Sequence, residues 1–230
     1  ILGCLIREER DAIVLSSKIF NKMGKDLNAQ GGNRRNIALA VDASLKRLGT
    51  DRIDVLFMHR WDSVTPLEET LRGLEDVVRA GKVLYLGASN YSAWQVAKGL
   101  GISAREGWSR FDIIQPMYNL VKRQVEAELL PFAQHENVGV VSYSPVGGGL
   151  LSGKYGATAR PNTGRLVDNK MYGRRYSDEW AYETAERFTQ LAQEENVHPV
   201  SLAVAWVRAH SAITAPIIGA RTVEQLAPSL

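Results

Sequence analysis

Ile53-Asp54-Val55-Leu56-Phe57-Met58-His59-Arg60-Trp61-Asp62, running on through Thr65-Pro66-Leu67-Glu68 to Val83-Leu84-Tyr85-Leu86-Gly87-Ala88-Ser89-Asn90, is the stretch on which the fold turns. It opens and closes on apolar runs, which read as strands buried on both faces. Between them Leu67, Leu71, Leu74 and Val78 recur at helical spacing, predicting an amphipathic helix. Thr65 reads as its N-cap, Pro66 as the first helical residue, Glu68 as a capping-box partner and Gly81 as the stop. Buried strand, helix, buried strand is the pattern of parallel strands joined by a crossover.

Outward from this unit the pattern repeats. Apolar runs at 12–17, 111–115, 138–142 and 213–218 join those at 53–58 and 83–88. Ile37, Val41, Leu45 and Leu48, closed by Gly49, predict a second helix, and capping boxes opening at Ser92 and Thr222 predict two more. Such alternation makes a parallel sheet covered by helices, either open or closed into a barrel. The strand ends decide between these. Lys18, His59, Ser89 with Asn90, Gln115, Tyr143 with Ser144, and Gly219 with Arg221 stand at the carboxyl ends of different runs. An open sheet gathers functional residues at one switch point, whereas a barrel collects them from every strand around one mouth. The expectation is an α/β fold of the (β/α)8 TIM-barrel type, with about six of its eight strands in this sequence, forming a single domain over 1–230. The stretch from about Gly147 to Tyr176, rich in Gly, Arg and Asn, is expected to be irregular and to act as a lid or binding loop.

Composition narrows the function classes. At 45% hydrophobic and 23% charged residues the chain can bury a sizeable core, which argues against disorder. No apolar run approaches the ~20 residues of a spanning helix, so no membrane association and a cytoplasmic location are expected. The net charge of +3 comes from basic residues interleaved with acids, a pattern that does not suggest nucleic acid. The single cysteine, Cys4, lies among apolar neighbours and reads as a small buried hydrophobe. His135, His198 and His210 have no partner spacing for metal, so no metal site is expected. Gly148, Gly153 and Lys154 fit a phosphate-loop spacing, but Tyr155 stands where Ser or Thr would ligate magnesium.

Ser17-Lys18, Arg47 to Asp54 leading into Met58-His59, Gly87-Ala88-Ser89-Asn90, Gln115-Pro116-Met117-Tyr118-Asn119, Ser142-Tyr143-Ser144-Pro145 and Ile218-Gly219-Ala220-Arg221 together resemble the aldo-keto reductase family, in order, from residue 1 to residue 230. The loop Gly147 to Tyr155 is similar to the branch holding potassium-channel β-subunits and aflatoxin-aldehyde reductases. The resemblance implies a barrel enzyme that reduces an aldehyde or ketone with hydride from NADPH and a proton from a tyrosine. The family's catalytic tetrad is Asp, Tyr, Lys and His. Lys18 and His59 match the last two, while the Asp and Tyr fall before Ile1. The chain is therefore expected to lack the first two barrel strands and to stop within the last helix, incomplete at both ends.

By the same resemblance, Ser89, Asn90 and Gln115 hold the nicotinamide carboxamide and Tyr143 stacks on the ring. Ser144, Gly147, Lys154 and Arg165 meet the pyrophosphate. Gly219, Ala220, Arg221 and Gln225 grip the 2′-phosphate that distinguishes NADPH/NADP+ from the unphosphorylated pair, although Ser229 stands where the family often has Asn. Trp61 is the candidate wall of the substrate pocket. Taken alone, Lys18 reads as an ordinary strand-end lysine and His59 as a satisfied core histidine. Their place at a polar rim favours chemistry. The expected partner is a small carbonyl substrate, with self-association left open, and the alternative is an NADPH-binding regulatory or inactive subunit of the same fold.

Overall fold

The computed structural model describes residues 1–230, which pack as two compact units: Ile1–Gln115 with His135–Val138, and Pro116–Gln134 with Gly139–Leu230. The first opens with α1 (Leu2–Leu5), followed by β1 (Ser16–Ile19), α2 (Arg34–Leu48), β2 (Ile53–Met58), α3 (Leu67–Arg79), β3 (Val83–Ser89), α4 (Ala93–Glu106) and β4 (Phe111–Gln115). Chain-order neighbours among β1 to β4 pair in parallel. Strand and helix thus alternate as in a (β/α)8 barrel, the fold class read from the sequence.

Ile37 and Val41 of α2 and Leu67, Leu71 and Leu74 of α3 are buried, as their spacing requires, whereas Leu45, Leu48 and Val78 are only half-buried and Val77 stands in the core in place of Val78. Gly49 closes α2 in the left-handed conformation, at φ 66, where a Cβ would be strained.

Three local expectations are corrected. The first strand begins at Ser16 rather than residue 12, because Arg10–Ala12 form a 3-10 turn. Arg10 pins that turn: its guanidinium pairs with Asp54 at 2.8 Å and donates to Ile13 O at 3.0 Å and Arg52 O at 2.9 Å. Thr65 does not cap α3. Its N–H and that of Val64 bond the Asp62 carboxylate, drawing Thr65 into the preceding loop and leaving Pro66 as the N-cap. Cys4 is exposed, because α1 turns Gly3 inward, where a Cβ would stand 2.2 Å from Leu48 O.

The second unit holds α5 (Leu129–His135, whose last residue is counted with the first unit), β5 (Gly139–Tyr143), α6 (Arg165–Asp168), α7 (Lys170–Arg175), α8 (Glu179–Glu194), α9 (Pro199–Arg208), β6 (Ala215–Ile217) and α10 (Val223–Leu226). β5 and β6 are parallel, with Val141 opposite Ala215. The stretch 147–176 is not irregular throughout, since α6 and α7 lie within it. Leu150, Leu151, Tyr155, Leu166 and Tyr176 from that stretch are buried with Ala185 and Phe188 of α8 and Ala203 of α9. These apolar anchors fasten the segment to the unit's core and leave its polar residues to line a cavity. Burial is less continuous than hydropathy suggests, for Leu84 and Tyr85 in β3 and Ile217 in β6 are exposed.

Candidate functional site

The residues singled out from the sequence fall in two groups, one in each unit. In the first, strand register does the assembling. Lys18 stands opposite Phe57, Phe57 opposite Gly87, and Ser89 opposite Gln115. Side chains alternate faces along a strand, so Lys18, Phe57, His59, Ser89 and Gln115 share one face near the carboxyl ends. A β-bulge at Leu86/Gly87 sets the register that brings Ser89 beside Gln115. The Phe57 ring occupies the space of a Gly87 side chain, since a Cβ there would lie 2.4 Å from it.

Lys18 and His59 feel each other across this face. The imidazole's pKa is lowered by burial first, then by the charges of Lys18 and Arg60. The Lys18 ammonium lies 5.6 Å from the Phe57 ring centroid, and although solvent reaches it, partial desolvation lowers its pKa too. His59 N–H donates to Ile19 O at 3.0 Å, fixing the rim where β1 and β2 end.

Ser89 and Gln115 are buried, and Ser89 Oγ donates to Gln115 O at 2.9 Å. Asn90 Nδ2 donates to His59 O at 2.9 Å and Ser89 Oγ at 3.0 Å, tying the ends of β2 and β3. Asn90 itself is left-handed, at φ 59, and Phe20, two residues after Lys18, has φ 142. Unfavourable backbone conformations of this kind cluster at functional sites. Trp61 packs edge-on to Tyr91 at 5.4 Å and tilted against Trp94 at 5.5 Å, so it has a packing role in an aromatic cluster.

In the second unit, Tyr143, Ser144, Lys154, Arg165, Gly219, Ala220, Arg221 and Gln225 line one cavity of about 590 Å3. Gly147 does not line it. That glycine is buried beneath, while Gly148 and Gly149 reach the cavity. Ser144 is left-handed, at φ 59. Asn119 holds it so, donating to Ser144 O at 2.9 Å and to the Tyr176 hydroxyl at 3.0 Å. Lys154, Arg165 and Arg221 put three cations on the lining against the one carboxylate of Glu224, a balance that suits an anionic ligand. The helix after Arg221 is a single turn. A helix that short adds little through its dipole, and the Arg221 side chain supplies the charge.

Sequence reasoning missed Tyr172. Its ring lies 5.2 Å from the Arg165 guanidinium and 5.1 Å from that of Arg175, and its hydroxyl is 3.5 Å from Ser144 Oγ. Burial raises the Tyr143 pKa, with Arg175 opposing and Tyr172 adding to the rise. The available signal was a tyrosine interleaved with Arg165, Arg174 and Arg175 in a glycine-rich stretch.

The aldo/keto reductase family model matches residues 1–230. Versiconal hemiacetal acetate reductase of Aspergillus parasiticus is 37% identical over 205 residues, covering 88% of this chain and 59% of that protein. A probable voltage-gated potassium channel subunit beta of Arabidopsis thaliana is 35% identical over 232 residues, 98% of this chain and 70% of its own length. L-glyceraldehyde 3-phosphate reductase of Escherichia coli is 33% identical over 233 residues, 97% and 67% respectively. The chain spans 56 to 66% of the length of the first relatives it matches.

Proposed function

The chain belongs to the aldo/keto reductase family, and on that premise we propose that the protein carrying it reduces aldehydes or ketones to alcohols with NADPH. The observation that carries this reading is the shared face of Lys18, His59, Ser89 and Gln115 at the strand ends, with His59 in electrostatic reach of Lys18. Named reductases among the relatives support it.

NADPH, when bound, supplies the hydride. The residues present fit that group. The cavity of about 590 Å3 has a size usual for small-molecule sites, its cations suit phosphates, and Gly149 and Gly219 leave open backbone, with nothing within 4 Å of an added Cβ. Tyr143 is assigned to the nicotinamide ring, Ser144, Lys154 and Arg165 to the pyrophosphate, and Arg221 with Gln225 to the 2′-phosphate. Ser89, Asn90 and Gln115 are assigned to the carboxamide.

Protonation is assigned to the tyrosine of the family's catalytic tetrad. A phenol with pKa near ~10 is a weak acid at neutral pH. An ammonium at ~4 Å with an effective dielectric of ~20 stabilises the phenolate by up to ~4 kcal/mol, or ~3 pKa units, and Lys18 is the residue assigned to this. His59, whose pKa is lowered by burial first and then by Lys18 and Arg60, is assigned to donate a hydrogen bond to the carbonyl oxygen.

Lys18→Met in the full protein tests the assignment. Turnover is expected to fall by ~100-fold or more while NADPH affinity, read by fluorescence titration, changes only a few-fold, because the ammonium acts on the proton donor in the transition state. A folded Lys18→Met variant with near-parental turnover would return Lys18 to an ordinary strand-end lysine.

A further inference from the structure

The positioning of His59 involves one more residue. Asn21 follows Phe20 in the loop after β1, and its Nδ2 lies 3.1 Å from His59 Nδ1. Its other amide atom, Oδ1, accepts from the Arg60 guanidinium at 2.9 Å. The guanidinium has donors only, so the atom facing Arg60 must be the oxygen and the atom facing His59 must be the NH2. An amide NH2 likewise only donates. His59 Nδ1 must then be the unprotonated, accepting nitrogen, and a neutral imidazole in that state carries its proton on Nε2.

The loop that presents Asn21 is itself tied down. Gly31 N–H donates to Phe20 O at 2.8 Å, Gly32 N–H donates to Asp62 at 2.7 Å, and the Arg60 guanidinium stacks over the Phe20 ring at 4.8 Å.

We infer that Asn21 is a positioning residue that holds His59 neutral with its proton on Nε2, so that the imidazole meets the substrate oxygen as a hydrogen-bond donor. The inference rests on the reading of His59 given above as the group that binds the carbonyl. The charged groups facing His59 are Lys18 from β1 and Arg60 in its own strand-end loop, and both discourage a second proton on the ring, in the same direction as Asn21.

Long-range 1H–15N correlation through the imidazole rings of the 15N-labelled full protein tests this, with the His59 signals identified by their loss in His59→Gln. The parent is expected to show a neutral ring protonated at Nε2 around neutral pH. Asn21→Asp replaces the donor with an acceptor, so it should raise the His59 pKa by about one unit or more and populate the Nδ1-protonated forms. The acid limb of the kcat profile should move upward with it, with NADPH affinity unchanged. A parent ring protonated at Nδ1 near neutral pH overturns the inference without need of any variant, and so does an Asn21→Asp spectrum identical to the parent's. Turnover of His59→Gln probes the underlying reading separately: full activity there removes His59 from the chemistry, whatever tautomer the spectra show.

Discussion

His59 is pressed toward its neutral form by burial, by Lys18 and by Arg60. Its folded pKa therefore lies below the ordinary ~6.5 of an unfolded chain. Between those two values the unfolded chain binds more protons, so stability is fully present above ~6.5 and is lost as pH falls through the folded pKa. His59→Gln is expected to flatten the dependence of unfolding free energy on pH in that window. Urea denaturation at a series of pH values reads the slope, and an unchanged slope would assign the acid sensitivity to another group. Lys18 and His59 were legible in the sequence because each follows a recognisable apolar run. Asn21 and Tyr172 were not, because their roles come from loop conformations that bring Asn21 to His59 and Tyr172 to Arg165 and Arg175, and no hydropathy pattern encodes these.

Two contacts between elements carry stability predictions. Arg10 and Asp54 are mostly buried, their side chains 11% and 13% exposed, and Asp54 also accepts from Leu15 N–H at 2.7 Å. Asp54→Ala leaves a guanidinium and an amide without their partner, and breaking a buried pair costs ~3–5 kcal/mol. The expected result is a large drop in the urea midpoint, and a change under ~1 kcal/mol would show the pair to be screened like a surface bridge. Gly87→Ala drives a methyl into the Phe57 ring, an overpacking cost of about 1–3 kcal/mol. The double variant with Phe57→Leu should recover part of that loss, and additivity of the two losses would place the strain elsewhere. Strand and helix order was readable from periodicity, while boundaries shifted where a side chain intervened. Arg10 takes residues 10–12 into a turn, and Asp62 takes Thr65 into a loop. Neither signal is visible without knowing which residues meet across the fold.

For the protein that carries this chain, the family assignment rests on a match over residues 1–230, and what it binds rests on the cationic cavity. Arg221→Ala should cost NADPH about tenfold or more in affinity, the value of a charge-assisted hydrogen bond of ~1.5–3 kcal/mol, and leave NADH nearly unchanged. Equal losses for both cofactors, seen in paired fluorescence titrations, would move the adenosine end away from Arg221. Binding alone does not separate an enzyme from an NADPH-binding regulatory subunit. The most direct measurement is NADPH consumption by the full protein with a simple aldehyde, with the alcohol quantified in the same samples. Saturable turnover with one alcohol formed per NADPH consumed is the predicted result. Tight NADPH binding with no alcohol above the enzyme-free control would contradict the reductase account.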